Sequence, residues 1–144
     1  MSDRFKFSIE VEPPNQIKQA FIAAASKALH QTAAELDGRF TDAISSAVWP
    51  WPFPASNGKG SPRSIVDSGD LARSKVYKES ALVIDWTWTI EYAAAVHEGA
   101  TLWNGAILPA RPWTDAVVFG GTSANVPVYD FTGNMSRRIA DILN

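Results

Sequence analysis

The chain carries two histidines, His30 and His97, and no cysteine, so acid–base, nucleophilic or metal chemistry has few side chains to draw on. His97-Glu98 is the pair with most chemical promise. A zinc-protease helix needs a second histidine four residues after the first, and Thr101 stands there instead. His97 is therefore expected to be structural, hydrogen-bonded at a helix end, unless His30 meets it in space. Ser68 beside Asp67 sets a hydroxyl next to a carboxylate, yet no histidine lies at a predictable distance and the Gly-x-Ser-x-Gly elbow is absent. Gly58-Lys59-Gly60-Ser61 resembles part of a phosphate loop, but the upstream glycine is missing and no strand precedes it. The fork of donors on Arg111 suits an anionic ligand or, preferably, a carboxylate or carbonyl of a neighbouring subunit. The expectation is no catalytic residue, no metal ligand and no cofactor-binding residue.

Composition narrows the classes further. At 144 residues the chain is expected to form a single domain, 1–144, with room for one sizeable core. A formal charge of −2 argues against wrapping nucleic acid, which needs clustered lysine and arginine to neutralise phosphates. Without cysteine, neither disulfides nor thiolate metal sites can form, and folding must rest on packing or association. No apolar run reaches membrane-spanning length, and Met1-Ser2-Asp3-Arg4 lacks the pattern of a secretory signal, so synthesis in the cytoplasm and no membrane partner are expected.

The elements that must position these residues follow from hydrophobic periodicity. Phe5 to Glu12 alternates with period two, placing Phe5, Phe7, Ile9 and Val11 on one face of a strand that Pro13-Pro14 ends. From Asn15, a plausible N-cap, apolar residues recur at helical spacing through Leu29, Leu36, Phe40 and Ile44 to Val48. One long amphipathic helix is favoured, although Gly38 offers a place for a bend or break. Residues 48–64 form a Trp/Pro-rich arm and loop, because Trp49-Pro50-Trp51-Pro52-Phe53-Pro54 can enter neither a helix nor a central strand. This arm docks either on a neighbouring subunit, the preferred reading, or back over its own sheet. Lys75–Glu79 and Ala81–Ile90 read as two strands, the second with Leu82, Ile84, Trp86 and Trp88 on one face and a mostly polar face opposite. Three alanines favour a short helix at Tyr92–Glu98, ended by Gly99. Thr101 to Leu108 is a further strand or hairpin, with Asn104-Gly105 as its turn. Residues 120–144 form a C-terminal extension in which Asp130 or Thr132 caps a final helix with a Phe131, Met135, Ile139, Ile142 stripe. The expected fold is α+β: an antiparallel sheet of about four strands packed on the long N-terminal helix, with a short helix and a C-terminal helix at the edge.

Three pieces in fixed order carry a resemblance. They are Ser68-Gly69-Asp70-Leu71-Ala72-Arg73-Ser74, then Tyr92-Ala93-Ala94-Ala95-Val96-His97-Glu98-Gly99, then Pro109-Ala110-Arg111-Pro112-Trp113. Locally, Asp67 or Ser68 can cap a helical turn, Gly69 tolerates unusual backbone angles and Leu71 points inward. Pro109 and Pro112 stiffen the frame that carries Arg111 and Trp113. The order of the three pieces resembles the phage tail-component family, the tail-completion and head-tail joining proteins of long-tailed phages. In that resemblance Ser68, Gly69, Leu71, Tyr92, His97, Glu98, Gly99, Pro109 and Pro112 are structural motif positions.

The resemblance implies a structural virion protein, not an enzyme. It would form a homo-oligomeric ring, six-fold or twelve-fold, at the neck or the head-proximal end of the tail. Its neighbours would be connector, terminator or tail-tube proteins, and DNA would pass through the lumen without specific binding. A tail terminator or another connector ring at the same junction is the closest alternative. The Trp-Pro arm and the Trp103-Asn104-Gly105 stretch depart from the family pattern. Six tryptophans exceed ordinary usage, and Trp49, Trp51, Phe53, Arg111 and Trp113 are the expected subunit-interface residues. An alternative of another class is a carbohydrate-binding module in which Trp51, Trp86, Trp88 or Trp103 stacks on sugar rings.

Overall fold

The computed structural model describes residues 4–12, 19–53, 60–65 and 69–144. The expected features at Pro13-Pro14, Asn15, Pro54, Gly58-Lys59, Asp67 and Ser68 lie outside the described residues. Strand β1 (Phe5–Glu10) and helix α1 (Gln19–Ser45) are followed by a helical turn, α2 (Asp70–Arg73), and strands β2 (Lys75–Glu79) and β3 (Val83–Trp88). A short helix, α3 (Ala93–Glu98), leads into the small strands β4 (Ala100–Thr101) and β5 (Ile107–Leu108). Two helices close the chain, α4 (Trp113–Val118) and α5 (Phe131–Leu143).

The sheet is antiparallel, with β3 in the centre and strand order β1-β3-β2. Among the described residues this main sheet has three strands and β4 and β5 form a second, two-stranded sheet, in keeping with the expected α+β fold. Register sets which side chains look inward. Phe5 pairs with Trp88, Phe7 with Trp86 and Ile9 with Ile84, and Tyr77 of β2 flanks Trp86 from the other side. These residues share one face by the period-two rule, and that face packs on α1. Phe40 of α1 meets Trp86 and Phe7 at 5.3 Å and Trp88 at 5.8 Å, mostly edge to face. Such contacts add to the area the rings bury.

Helix α1 runs unbroken through Gly38, which points into open space, so nothing there demands a bend. It is buried on two sides. One side carries Leu29, Leu36, Phe40 and Ile44 into the core. Along the other lies α5, held by Arg138, which pairs with Glu35 and donates to the buried Thr32 hydroxyl at 3.1 Å. The C-terminal helix therefore packs on α1 instead of marking an edge of the sheet. Asp130 is its N-cap, accepting from the Gly133 amide at 3.0 Å. At the joint between α1 and the sheet, Asp37 accepts from the Trp86 indole at 3.1 Å and pairs with Lys75 at 2.8 Å. That gives the buried indole a partner beside the aromatic core.

Helix α4 is an element the sequence reading missed, having taken Pro109 to Trp113 only as a stiff frame. Pro112 stands at its N-cap and Asp115 in its first turn, both ordinary helix-start signals. Trp113, Ala116 and Val117 recur at helical spacing and are all buried.

Candidate functional site

Two of the three motif pieces, separated by the β4–β5 hairpin, fold into one unit. The Arg111 amide donates to the Val96 carbonyl at 2.9 Å, which lays the Pro-Ala-Arg-Pro segment against α3. Gly99 lies at that joint with φ of 80°, where a Cβ would stand 3.0 Å from the Ala110 nitrogen and 3.1 Å from the Leu108 carbonyl. Only glycine accepts both the angle and the approach. The first motif piece leads into β2, whose Lys75 pairs with Trp88, the ring that packs on Trp113 at 5.3 Å. Gly69, at φ 82°, opens α2, Leu71 enters the core, and the Ser74 carbonyl accepts from the Thr89 amide and hydroxyl.

His97 sits at the centre of the joint, 2% exposed. Phe5 stacks on its ring at 4.0 Å and Trp113 approaches edge-on at 4.8 Å. Nδ1 lies 2.5 Å from a Glu98 carboxylate oxygen and Nε2 lies 2.7 Å from the Thr114 hydroxyl. A carboxylate only accepts, so Nδ1–H donates to Glu98 and Nε2 accepts from Thr114. Burial holds the His97 pKa below its ordinary 6.5, opposed by the hydrogen bond and charge of Glu98 and then by Asp115. The imidazole is thus neutral near pH 7, and its contact with Glu98 is a hydrogen bond from an uncharged ring.

A hydroxyl, an imidazole and a carboxylate in line are the parts of a hydrolase triad. Here the hydroxyl is sealed. Thr114 is fully buried, so no substrate carbonyl can approach its oxygen without opening the core. The array instead fastens α3 to α4. His30 is far from it along the sheet: its Nε2 donates to the Ser80 carbonyl at 2.6 Å, by the turn at the start of β3, while His97 packs on Phe5, which pairs with the last residue of β3. Among the described residues no group of three His, Cys, Asp or Glu side chains could hold a metal ion, and no helix is long and apolar enough to cross a membrane.

The expected interface residues divide. Trp49 is 2% exposed, pairs through its backbone with Arg63, and donates its indole N–H to the Ala43 carbonyl at 2.8 Å. Trp113 is fully buried against Trp88 and His97. Arg111 is buried too, its guanidinium 5.5 Å from the Trp51 ring. All three are buried within this chain, their apolar or delocalised surfaces packed on its own residues. The arm folds back in cis as far as Trp51, whose ring lies 3.8 Å beneath the Arg63 guanidinium. Phe53, edge-on to Trp51 at 5.7 Å, keeps an exposed face. Pro109 is half-buried, and Tyr92, at the N-cap of α3, is exposed. Of the proposed sugar platforms, Trp86 and Trp88 are fully buried.

One tryptophan stands outside. Trp103, at the tip of the β4–β5 hairpin, is 97% exposed, with Leu102 and Ile107 also exposed beside it. The tip is nevertheless built: Leu102 N donates to Ala106 O at 2.7 Å, Gly105 N to Leu102 O at 2.9 Å, and Ala106 N to the Asn104 side chain at 3.0 Å. Gly105 has φ of 81°, the left-handed angle that the Asn-Gly turn provides. A second exposed apolar region surrounds an open cavity of about 260 Å3 between the end of α1, α4 and the segment before α5. Val48, Val117, Val126 and Pro127 give it apolar walls, and Arg39 and Asp42 stand in its lining. Sequence reasoning did not find this cavity, since its lining comes from three separated stretches. Compared with family models, curated proteins and solved structures, the chain matches none.

Proposed function

We propose that this chain is a structural subunit of a tailed-phage particle, a ring-forming neck or tail-completion component that joins head and tail. The observation that carries the reading is the pair of unlike apolar surfaces on one chain, the hydrogen-bonded Trp103 hairpin and the Val126–Pro127 cavity. Exposed apolar patches of this kind mark contact surfaces. A surface that meets a different surface on the next copy closes a ring when the rotation allows it. The assignment to a phage particle rests on the three motif pieces, whose order resembles the tail-component family and two of which pack as one unit around His97.

The outward sheet face is the candidate lining of the DNA passage. It carries Lys6 and Lys78 with Glu10 and Asp85, and Lys6 lies 3.8 Å from Asp85. Cations offset in this way offer phosphates no net grip, so a duplex can move past them. Native mass spectrometry of the purified chain, together with localisation by imaging of mature particles, tests the reading. A ring of fixed copy number between capsid and tail is expected; a chain that stays monomeric at all concentrations and is absent from particles overturns it.

The exposed Trp103 also favours one alternative, stacking on a sugar ring. A row of aromatics would serve that role better, and Trp51 is already covered by Arg63 on one face. Titration with oligosaccharides that quenches fluorescence in wild type but not in Trp103→Ala would support the sugar reading instead.

A further inference from the structure

We propose that the Trp103 hairpin of one copy seats in the Val48–Val117–Val126–Pro127 cavity of the next. The inference deepens the ring reading and rests on it.

Four observations carry it. Trp103 is 97% exposed on a hairpin whose turn is already hydrogen-bonded, so little ordering remains to be done when it docks. Preorganised tryptophans at the centre of a contact are the commonest energetic anchors. The second observation is size. A dry apolar cavity of about 150 Å3 holds benzene, and an indole needs roughly half again as much space. The cavity here measures about 260 Å3 and is open to solvent on one side.

Chemistry of the lining is the third. Ala43 and Val117 are buried and form the floor, while Val48, Val126 and Pro127 supply the walls. Asp42 can accept the indole N–H, and Arg39, whose guanidinium lies 5.7 Å from the Tyr129 ring, borders the site. Apolar surface continues past the cavity, because Phe119 and Val128, which follow closely on Val117 and Pro127, are 74% and 54% exposed. Leu102 and Ile107, flanking Trp103, have these residues to cover. Charge is the fourth: Ala100 to Leu108 contains no ionisable residue, so the tip has nothing to offer a phosphate backbone or an anionic bilayer surface. An apolar socket is the partner that fits it.

Tip and socket lie on different parts of the chain, so the contact is heterologous and propagates from copy to copy. Absence of native cysteine allows a clean test. Ala106→Cys places a thiol beside an intact Trp103, and Ser46→Cys places one in the socket lining; both sites are exposed. When the two single variants are mixed with a short bis-maleimide, a 46–106 cross-linked pair is expected. Adding Trp103→Ala to the Ala106→Cys chain should abolish the cross-link and weaken self-association by about 30-fold or more, with Trp103→Phe restoring part of it. Thermal stability of Trp103→Ala measured on dilute protein should equal that of wild type, since the side chain touches little of its own chain.

Assembly that persists in Trp103→Ala, or a ring that gives no 46–106 product, overturns this contact while leaving the ring reading in place. A monomer at every concentration overturns both. Flotation of the monomer with neutral phosphatidylcholine vesicles that depends on Trp103, without any cross-link, would assign the tip to a lipid surface and also overturns the contact.

Discussion

His97 has the residue types of chemistry and the surroundings of a fastening. Its neutral ring is sealed between Phe5 and Trp113, with one nitrogen on Glu98 and the other on a buried Thr114 hydroxyl. Because burial lowers its pKa in the folded chain, the unfolded chain binds a proton more strongly. The sign follows: stability from this site is complete above the ordinary value of 6.5 and is lost as pH falls below it, through the folded value. The urea midpoint is expected to be level above about pH 7 and to drop towards about pH 5, and His97→Gln should flatten that limb. The indole N–H groups of Trp88 and Trp113 have no hydrogen-bond partner among the described residues, although both rings are fully buried and 5.3 Å apart edge to face. Packing, not hydrogen bonding, holds that pair.

Elements show the same logic in their glycines and anchors. Gly38 lies on the exposed side of α1 with nothing within 4 Å of the place a methyl would take, so Gly38→Ala should raise stability by about 0.4–1 kcal/mol, read from a thermal melt. Gly99→Ala is expected to do the reverse by at least as much, because its positive φ and the Ala110 and Leu108 backbone both resist a side chain. Trp49 separates the two readings of the Trp-Pro arm. It is buried at the end of α1 with its N–H on Ala43, so Trp49→Ala should cost about 3–5 kcal/mol of folding stability in chemical denaturation. A loss of assembly with folding intact would return it to the interface.

At the scale of the molecule, the core is spent on α1, the sheet, α4 and α5, while a few large apolar groups remain outside it. Their distribution is uneven. The hairpin tip and the surface around Pro127 hold the most exposed of them, including Trp103 and Phe119. If copies join through these surfaces, folding and association are linked, and the melting midpoint must rise with protein concentration. That rise is expected for wild type and should vanish in Trp103→Ala, as scanning calorimetry over a hundredfold range of concentration would read.

By itself the sequence determined the periodic elements. Alternation in Phe5 to Ile9 and Ile84 to Trp88, helical spacing from Phe21 to Ile44, and Asp130, one of the two candidate caps, all reappear in place, because period and capping are local properties of the chain. It also placed the end of the short helix at Gly99, which stands at the C-cap of α3. The long helix passes straight over Gly38 because packing on two sides outweighs one residue's lower propensity. Tertiary structure alone decided what each large side chain faces. Trp49, Trp103 and Trp113 are the same residue type in equally ambiguous stretches, yet two are core and one is solvent-exposed. That outcome depends on which distant elements arrive to cover them, and so do the Thr114 partner of His97 and the cavity built from residues as far apart as Arg39 and Pro127. Long-range contact is not written in local spacing.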